Sequence, residues 1–496
     1  MYITQHTMTT PGTPPSSSGT PPSSSGTPPS APGTPPSAPG TPPSASGTQP
    51  PASGTPPSAP GTPPSAPGTP PSAPFSELSL QLTRKLTKDE KKNAGIFFTP
   101  PSCIQRIVAL LRGVSETIHS ILEPSCGSGE FITALMREYP DANITGVEFH
   151  PLIYEGVAQK FSDAGTRVRI QHGDFLKYGD AAPAPDLIIG NPPYFVMKKE
   201  DVATEYYPYF DGRPNIFVLF IMKSAQILRA GGVLCFVLPS SFMNSQYYDK
   251  TRKYIVRHFA ILHISRCDDS NVSDAYLDTA QDTIILILRK NNASGATTLG
   301  SGSGGSGGVF EKSGATIFTD NLPRITSLYT GSQSLHDLGF KVNIGTVVWN
   351  QCKNILTDDP TKTRLVYSPN IVNGKFVHKT YKNPEKKAFI AKPGIRTPMI
   401  VLNRGYGVGE YKFDYCLLTP DASSSAGYLI ENHLICITHN CGGGGGGGDE
   451  AHTLAAFHRV IRSFNDPRTQ EFISCYCGNS AINSTELSHM LPIYDA

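Results

Sequence analysis

Apolar strand-like runs alternate with helical stretches through the middle of the chain, and this alternation restricts the fold more than any other feature. Most of the runs are rich in Ile, Val and Leu, and helical patterns at residues 130–138 and 217–228 lie between them. Buried runs separated by helices are typical of a mostly parallel sheet, so the sequence predicts a Rossmann-like α/β domain with helices on both faces. The predicted strands are residues 118–122, 144–147, 168–170, 187–189, 233–238, 261–265 and 283–288.

The first 76 residues depart from this pattern. They contain no Asp, Glu, Lys or Arg, and glycine recurs every seven residues from Gly12 to Gly68, in units such as GTPPSAP. Proline at this density forbids helix, and the repeat lacks the apolar a and d positions of a coiled coil. We expect residues 1–76 to be a disordered tail that favours polyproline II conformation and is open to modification or to a partner.

Three further segments follow the tail. Residues 77–291 carry the predicted sheet and form the first domain; apolar positions at 103–111 predict a helix near its start, after two prolines. Residues 292–308 read as a Gly/Ser linker. Residues 309–496 read as a second domain of mixed α+β structure, with one helix at 452–463 and a polyglycine loop at 442–448.

Composition sets aside several classes of protein. The ten cysteines form no C-x-x-C pair, which favours reduced thiols in an intracellular protein. Cys436, His439 and Cys441 lack the fourth ligand of a zinc site, so we predict no metal. No run approaches the ~20 apolar residues of a membrane span, and the N-terminus lacks the features of a signal peptide. The sequence therefore predicts a soluble protein and leaves nucleus and cytoplasm open.

The loop ILEPSCGSGEF at residues 121–131 separates a predicted strand from a predicted helix. Its glycines let backbone amides approach a ligand beside the helix N-terminus. Gly127 and Gly129 have no third glycine in register, so the pyrophosphate of a dinucleotide fits poorly. Alone, the loop is explained as well by a tight structural turn.

Acidic residues at the ends of the next two strands indicate that this loop is part of a ligand-binding site. Glu148 lies about 20 residues after the glycines, where an acidic side chain suits two ribose hydroxyls. Asp174 and Phe175, at another strand end, suit the amino group and the ring of an adenine. Each carboxylate alone also fits a strand-end cap, but together they predict a crevice for a nucleoside-like cofactor.

The stretch LIIGNPPYF at residues 187–195 ends a buried strand with Asn191, Pro192, Pro193 and Tyr194. Neither proline donates a backbone hydrogen bond, so the run neither continues a sheet nor begins a normal helix. The Asn191 carboxamide and the Pro192 carbonyl are two fixed acceptors, which match the two hydrogens of an exocyclic amine. Tyr194 offers a flat face to a planar base or amide. We predict an amine-methylating site that works by positioning and electrostatics.

Together these motifs resemble the S-adenosylmethionine-dependent DNA adenine (N6) methyltransferases. The order, with cofactor motifs before NPPY and a recognition domain last, is similar to that of the gamma class, found in restriction–modification systems and large DNA viruses. The resemblance covers about residues 83–290 and continues more loosely to the C-terminus, where GNSAINSTELSHMLPIY at 478–494 resembles the closing segment of recognition domains.

The resemblance implies a role for individual residues. AGIFFTPP at residues 94–101 and the glycine loop would hold the methionine end of the cofactor, with Glu123 near its ammonium group. Tyr194 and Tyr276 would stack on a flipped target base. Residues with an implied part in cofactor binding are Phe98, Thr99, Glu123, Cys126, Gly127, Gly129, Glu148, Phe149, Asp174, Phe175 and Phe220.

The resemblance also implies partners. Double-stranded DNA is the expected substrate, and a cognate restriction endonuclease is a further possible partner. Basic stretches at residues 84–92, 251–258 and 382–387 supply positive charge for phosphates, although each also fits a solvated surface. The second domain would read base edges in the major groove. The sequence read and the oligomeric state stay open.

Three alternatives compete with this interpretation. NPPY also serves protein-glutamine methyltransferases, but these lack a long region after the catalytic half. Methylation of RNA, or of the cytosine amine, uses similar chemistry, although cytosine enzymes more often carry Ser in place of the Asn. A decayed, inactive DNA-binding scaffold is the non-enzymatic alternative, and the intact cofactor loop and NPPY argue against it.

Overall fold

The computed structural model describes residues 75–114, 117–179, 183–267, 282–292, 307–404, 413–419, 426–439, 450–477 and 482–495. Nearly all of the predicted tail, most of the predicted linker, the polyglycine loop and Tyr276 lie outside these residues. The described residues belong to one compact unit. The proposed domain boundaries stay predictions.

A seven-stranded sheet forms the centre of the first region. Its strands are β1 (Ser120–Glu123), β2 (Asn143–Glu148), β3 (Val168–His172), β4 (Leu187–Gly190), β5 (Val233–Pro239), β6 (Phe259–Arg266) and β7 (Thr283–Lys290). They lie in the order β3-β2-β1-β4-β5-β7-β6, and β7 is antiparallel to both of its neighbours. The predicted Rossmann-like sheet is confirmed, and every predicted strand corresponds to an observed one.

Helices pack on both faces of this sheet, as predicted. They are α1 (Glu77–Lys85), α2 (Lys88–Ala94), α3 (Pro101–Arg112), α4 (Glu130–Glu138), α5 (Pro151–Lys160), α6 (Ile216–Ile227) and α7 (Asp249–His258). One apolar cluster joins α3 and α4 to one face, and another joins α6 and α7 to the opposite face. Because α6 is apolar nearly all round, its length is covered by β4, β5 and the segment at residues 202–210.

The C-terminal region mixes short strands with helices. Its strands are β8 (Gly308–Lys312), β9 (Ala315–Thr319), β10 (Ser332–Gln333), β11 (Phe340–Ile344), β12 (Leu356–Thr357), β13 (Thr363–Val366), β14 (Ile371–Val372), β15 (Lys375–Phe376), β16 (Phe389–Ile390), β17 (Met399–Asn403), β18 (Tyr415–Leu418), β19 (Tyr428–Ile430), β20 (Leu434–His439) and β21 (Ile493–Tyr494). Its helices are α8 (Leu322–Tyr329), α9 (Glu450–Phe464), α10 (Pro467–Cys477) and α11 (Ser484–His489).

The sequence predicted only one helix in this region, at 452–463, and that number was wrong. The predicted helix corresponds to α9, but α8, α10 and α11 are also present. Each of these three is short, α10 begins at a proline and α8 has one at its second position, so that the sequence around them resembled turns. Their apolar sides are completed only by the core that they share with β11, β17 and β20.

Candidate active site

The glycine loop after β1 has the predicted strand–loop–helix form. Gly127 and Gly129 have left-handed backbones, with φ of +51° and +73°, and Gly129 directly precedes α4. The backbone N–H of Cys126 donates to the Val147 carbonyl at 2.9 Å, which fastens the loop to the end of β2. The loop therefore turns tightly at the carboxyl edge of the sheet and presents its backbone to the space above.

Glu123 is the most unusual group in this loop. Its side chain is 1 % exposed, and its Oε2 has no hydrogen-bond partner among the described residues. Burial, and then the nearby charge of Glu148, raise the pKa of this carboxyl well above its ordinary value. A buried carboxylate is costly unless a cation or donors satisfy it. A ligand with a positive charge or a hydrogen-bond donor would satisfy this oxygen.

Glu148 supports the loop from the end of β2. Its Oε2 accepts from the Gly127 N–H at 2.9 Å, and its Oε1 accepts from the His150 N–H at 2.8 Å. Burial raises the pKa of this carboxyl. Next to it, Phe149 is 70 % exposed at the rim of the sheet. Glu148 therefore fixes the loop backbone, and Phe149 leaves an uncovered aromatic face beside it.

Asp174 and Phe175 follow β3 and form a short turn. The Asp174 carboxylate accepts from the Leu176 N–H at 3.0 Å, and so caps this turn. Phe175 is buried, with its ring centroid 5.0 Å from that of Phe220 on α6. Phe220 itself is only 5 % exposed, so the two rings form a wall of the core rather than an open face.

Asn191, at the end of β4, is held in a single orientation. Its Nδ2 donates to the Phe97 carbonyl at 3.3 Å, and its Oδ1 accepts from the Tyr194 hydroxyl. Its backbone carbonyl accepts from Ser125 Oγ at 3.1 Å, so the first residue of NPPY touches the glycine loop directly. The Tyr194 hydroxyl also lies 2.9 Å from the Val237 carbonyl on β5.

The segment at residues 94–101 covers NPPY from the other side. Gly95 has φ of +63°, and a Cβ there would lie 2.5 Å from the backbone nitrogen of Tyr194. The Phe97 ring stacks beside Tyr194, with centroids 6.1 Å apart, and Phe217 meets Tyr194 edge-on at the same separation. Tyr194 is thus fixed among aromatic rings at the carboxyl edge of β4.

Three motifs that are far apart in sequence line one cavity. The residues around it are Phe97, Phe98, Thr99, Glu123, Ser125, Cys126, Gly127, Ser128, Glu130, Phe131 and Asn191. The structure therefore brings together the predicted Phe98, Thr99, Glu123, Cys126, Gly127 and Asn191. Among the remaining predicted residues, Glu148 joins them through Gly127, whereas Asp174, Phe175 and Phe220 lie further along the same edge and do not line this cavity.

Sequence reasoning missed two contributors. Phe97 supplies the carbonyl that orients Asn191. Ser79 on α1 exchanges a 2.7 Å hydrogen bond with Ser128 and donates to Glu130, so α1 braces the start of α4. Ser76 caps α1 and precedes the acidic Glu77, and this start signal could have revealed the helix.

Residues 140–272 match the Eco57I restriction-modification methylase family. Over 432 residues the chain is 26 % identical to "Type II methyltransferase M.CvrRI" of Paramecium bursaria Chlorella virus XZ-6E, which covers 85 % of this chain and 99 % of that protein. It is 32 % identical to "Modification methylase CviBIII" of Paramecium bursaria Chlorella virus NC1A, over 37 % of this chain and 47 % of that protein.

A third relative is a "tRNA1(Val) (adenine(37)-N6)-methyltransferase" of Flavobacteriaceae bacterium strain 3519-10, 31 % identical over 29 % of this chain and 61 % of that protein. The chain thus spans nearly the whole of the first relative and less than two thirds of the other two. These matches confirm the resemblance to methyltransferases of the restriction–modification and viral type. The matched proteins are methyltransferases, and the chain uses S-adenosylmethionine as its cofactor.

Within the basic stretch at residues 251–258, the expectation for Arg252 was wrong, whereas Arg257 and His258 are exposed. Arg252 is fully buried and donates to the carbonyls of Phe242 at 2.9 Å and Ser245 at 2.8 Å, and also to that of Thr316. Burial lowers its pKa to about 10. A guanidinium enclosed by backbone carbonyls cannot reach a phosphate, so Arg252 is structural: it fastens the loop after β5 to β9.

The other basic stretches are closer to the surface. In residues 382–387, Lys387 pairs with Asp358 at 2.7 Å, and Lys386 lies over the Tyr367 ring, 4.1 Å from its centroid. Residues 84–92 span the end of α1 and most of α2, where Lys91 Nζ donates to the Thr83 carbonyl at 3.1 Å. Among the helices that the structure describes, none is long and apolar enough to cross a membrane.

Proposed function

We propose that the chain transfers the methyl group of S-adenosylmethionine to the exocyclic N6 amine of adenine in a short motif of duplex DNA. The observation that carries this proposal is the orientation of Asn191 beside the cavity: its Nδ2 donates to the Phe97 carbonyl, and its Oδ1 is the acceptor, which takes the Tyr194 hydroxyl in the structure. Asn191, Pro192, Pro193 and Tyr194 form the proposed catalytic motif.

The chemistry of the side chains that line the cavity next to Asn191 suits the methionine end of the cofactor. Glu123 has an unsatisfied buried oxygen, which matches an ammonium group such as that of a methionine moiety. Phe98, Thr99, Cys126, Gly127 and Gly129 would hold the same end. Glu148, Phe149 and Asp174 would hold the nucleoside end, against the wall that Phe175 and Phe220 form. When bound, S-adenosylmethionine supplies an electrophilic methyl group.

The chain acts on the amine that attacks this methyl group. Asn191 Oδ1 and the Pro192 carbonyl accept its two hydrogens, which raises electron density on the nitrogen and orients its lone pair. The Tyr194 hydroxyl has one proton and two acceptors within reach, Asn191 Oδ1 and the Val237 carbonyl. When the target amine takes Asn191, the hydroxyl keeps a partner in Val237.

The target base must leave the duplex to reach this site. Flipping costs a few kcal/mol, which stacking in the pocket offsets. Tyr194 would supply one aromatic face, since it lies at the carboxyl edge of β4. Tyr276 would supply the other. The C-terminal region, residues 309–496, would read the flanking bases, and a restriction endonuclease of the same specificity is a further proposed partner.

The amide of a glutamine side chain and the adenine amine of an RNA are the alternative substrates. The relative named for adenine-37 N6 of a tRNA supports RNA as an alternative substrate. The restriction-modification family match, and the 432-residue match to M.CvrRI that extends well beyond the catalytic half, favour DNA. The test offers methyl-labelled S-adenosylmethionine with equal amounts of unmethylated duplex DNA, transfer RNA and glutamine-containing peptides. We expect label in duplex DNA, released on digestion as N6-methyl-2′-deoxyadenosine nucleotides. Label confined to RNA or peptide would overturn the proposal.

A further inference from the structure

Two thiols from distant parts of the chain meet beside the central sheet. Cys103, in the first turn of α3, and Cys267, directly after β6, place their sulfur atoms 2.9 Å apart. Because a disulfide bond is about 2.05 Å long, the two sulfurs need to approach by only about 0.9 Å to reach bonding distance. Sequence separation of 164 residues makes this contact a product of the fold.

Independent contacts hold the two cysteines in place. Arg106 on α3 donates to the Arg266 carbonyl at 2.9 Å and to Ser265 Oγ at 3.1 Å, and so ties α3 to the end of β6. The Cys267 N–H donates to the Thr283 carbonyl at 2.8 Å, which fixes its backbone against β7. Cys103 is 4 % exposed, whereas Cys267 is half-buried. Hydrogen bonds from Arg106 and from the Cys267 N–H therefore hold the two backbone segments together.

Two other cysteines lie near this pair. Cys235 on β5 is fully buried, and burial raises the pKa of its thiol strongly. Cys475 on α10 is exposed, and its carbonyl accepts from Arg266 at 2.8 Å. Cys235 is shielded from an oxidant, and Cys475 is open to one. Cys235 and Cys475 therefore serve as controls for the reaction of Cys103 and Cys267 with an oxidant.

We propose that Cys103 and Cys267 form a reversible disulfide when the enzyme meets a peroxide. The half-buried Cys267 reacts first: its thiolate attacks one peroxide oxygen, and a sulfenic acid forms as water leaves. The Cys103 sulfur then attacks the Cys267 sulfur, the S–O bond breaks, and the oxygen leaves as a second water with the remaining thiol proton. Both sulfurs are oxidised and the peroxide is reduced, and a small dithiol reverses the change.

The bond would close the chain around its own active site. The loop between residues 103 and 267 contains the glycine loop, Glu148, Asp174 and the NPPY motif. A crosslink over so long a loop removes much conformational freedom from the unfolded chain and stabilises the folded state. We expect the oxidised enzyme to unfold at a temperature several degrees higher than the reduced one.

The test oxidises the full-length enzyme with hydrogen peroxide at low molar excess, blocks remaining thiols and digests with trypsin under non-reducing conditions. We expect residues 93–106 to be joined to residues 267–289, two hydrogens lighter than the separate peptides, and to separate with dithiothreitol. The rise in unfolding temperature should also disappear with dithiothreitol.

Three variants sharpen the result. Cys103→Ser and Cys267→Ser should each lose both the linked peptide and the rise in unfolding temperature, whereas Cys475→Ser should keep both. The Cys103→Ser and Cys267→Ser variants control for each other, because either substitution alone prevents the disulfide from forming. Peptides 93–106 and 267–289 that stay unlinked in the folded enzyme would overturn the proposal, as would a bond from Cys267 to Cys235 or Cys475.

Discussion

The Asn191 side-chain amide donates to the Phe97 carbonyl at 3.3 Å, although 94 residues separate the two in sequence. This bond joins the segment at residues 94–101 to the end of β4 and decides which way the amide faces. A fixed amide presents Oδ1 to an incoming amine without rotation, and preorganised acceptors of this kind are a large source of rate enhancement.

Replacement of Asn191 by Ala is the direct test of this role. We expect methyl transfer to fall by about 10²–10³-fold, because one of the two acceptors for the amine is lost. Cofactor affinity should change by less than about threefold, since Glu123 and the glycine loop are untouched. Single-turnover methylation and equilibrium binding of S-adenosylmethionine measure the two quantities. The exposed Asn292→Ala is the matched control, and an Asn191→Ala enzyme of normal rate would contradict this role.

Two substitutions at Tyr194 separate its ring from its hydroxyl. Tyr194→Phe keeps the aromatic face and should retain methyl transfer within about fivefold, because Asn191 is still oriented by Phe97. Tyr194→Ala removes the face, and loss of stacking worth about 1–3 kcal/mol should lower kcat/KM by about 5–150-fold. Steady-state kinetics on a duplex that contains the target motif give both values. An equal fall in kcat/KM in the two variants would contradict the proposed stacking role of the Tyr194 ring.

Glu123→Gln should weaken cofactor binding while stabilising the cofactor-free enzyme at neutral pH. Burial raises the pKa of this carboxyl above its ordinary 4.5. The unfolded chain therefore ionises first as pH rises, and the stability contributed by the protonated carboxyl is present at low pH and lost as pH rises from about 4.5 through the raised pKa. Because a glutamine side chain does not ionise, the Glu123→Gln variant does not lose this stability as the pH rises.

Thermal unfolding of both proteins across this pH range, with and without S-adenosylmethionine, measures the effect of Glu123. We expect the two cofactor-free unfolding temperatures to converge near pH 4 and to separate at pH 7 in favour of the variant. Cofactor should raise the unfolding temperature of the native enzyme and raise that of the variant much less. Glu311→Gln, exposed on β8, is the control; a cofactor response of native size in Glu123→Gln would contradict the assignment.

Gly95 and Gly165 form a matched pair for testing the contact with NPPY. Their φ values are +63° and +67°, but a Cβ on Gly95 would meet the Tyr194 backbone at 2.5 Å, whereas one on Gly165 would meet nothing within 4 Å. Each change to Ala should cost about 1–2 kcal/mol of unfolding free energy from backbone strain. Gly95→Ala should cost more and also lower methyl transfer. Urea unfolding and turnover of both variants test this, and equal behaviour would show that the close approach is unimportant.

The strands of the sheet could be predicted because each is a short apolar run bounded by polar or glycine-rich turns, as at residues 187–189. The residues at their carboxyl ends could be predicted because parallel strands place these ends on one edge. Glu123, Gly127 and Asn191 meet there as expected.

Other features depend on tertiary contacts that no local pattern carries. Arg252 reads as a surface cation, yet it is buried against carbonyls from two distant segments. The hydrogen-bond partner of the Asn191 amide is the backbone carbonyl of Phe97. Every residue type has such a carbonyl, so the identity of the residue at position 97 does not predict this contact. Helices α8, α10 and α11 are too short for their periodicity to be read without the core that they complete.

The central claim is methylation of adenine at N6 in a defined DNA motif. Its most direct test is to incubate the purified enzyme and S-adenosylmethionine with unmethylated genomic DNA and to map modified bases by single-molecule sequencing, with Asn191→Ala in parallel. The account predicts N6-methyladenine confined to one short motif with the native enzyme and absent with the variant. Unmodified DNA from an enzyme that binds S-adenosylmethionine, or methylation on cytosine, would contradict it.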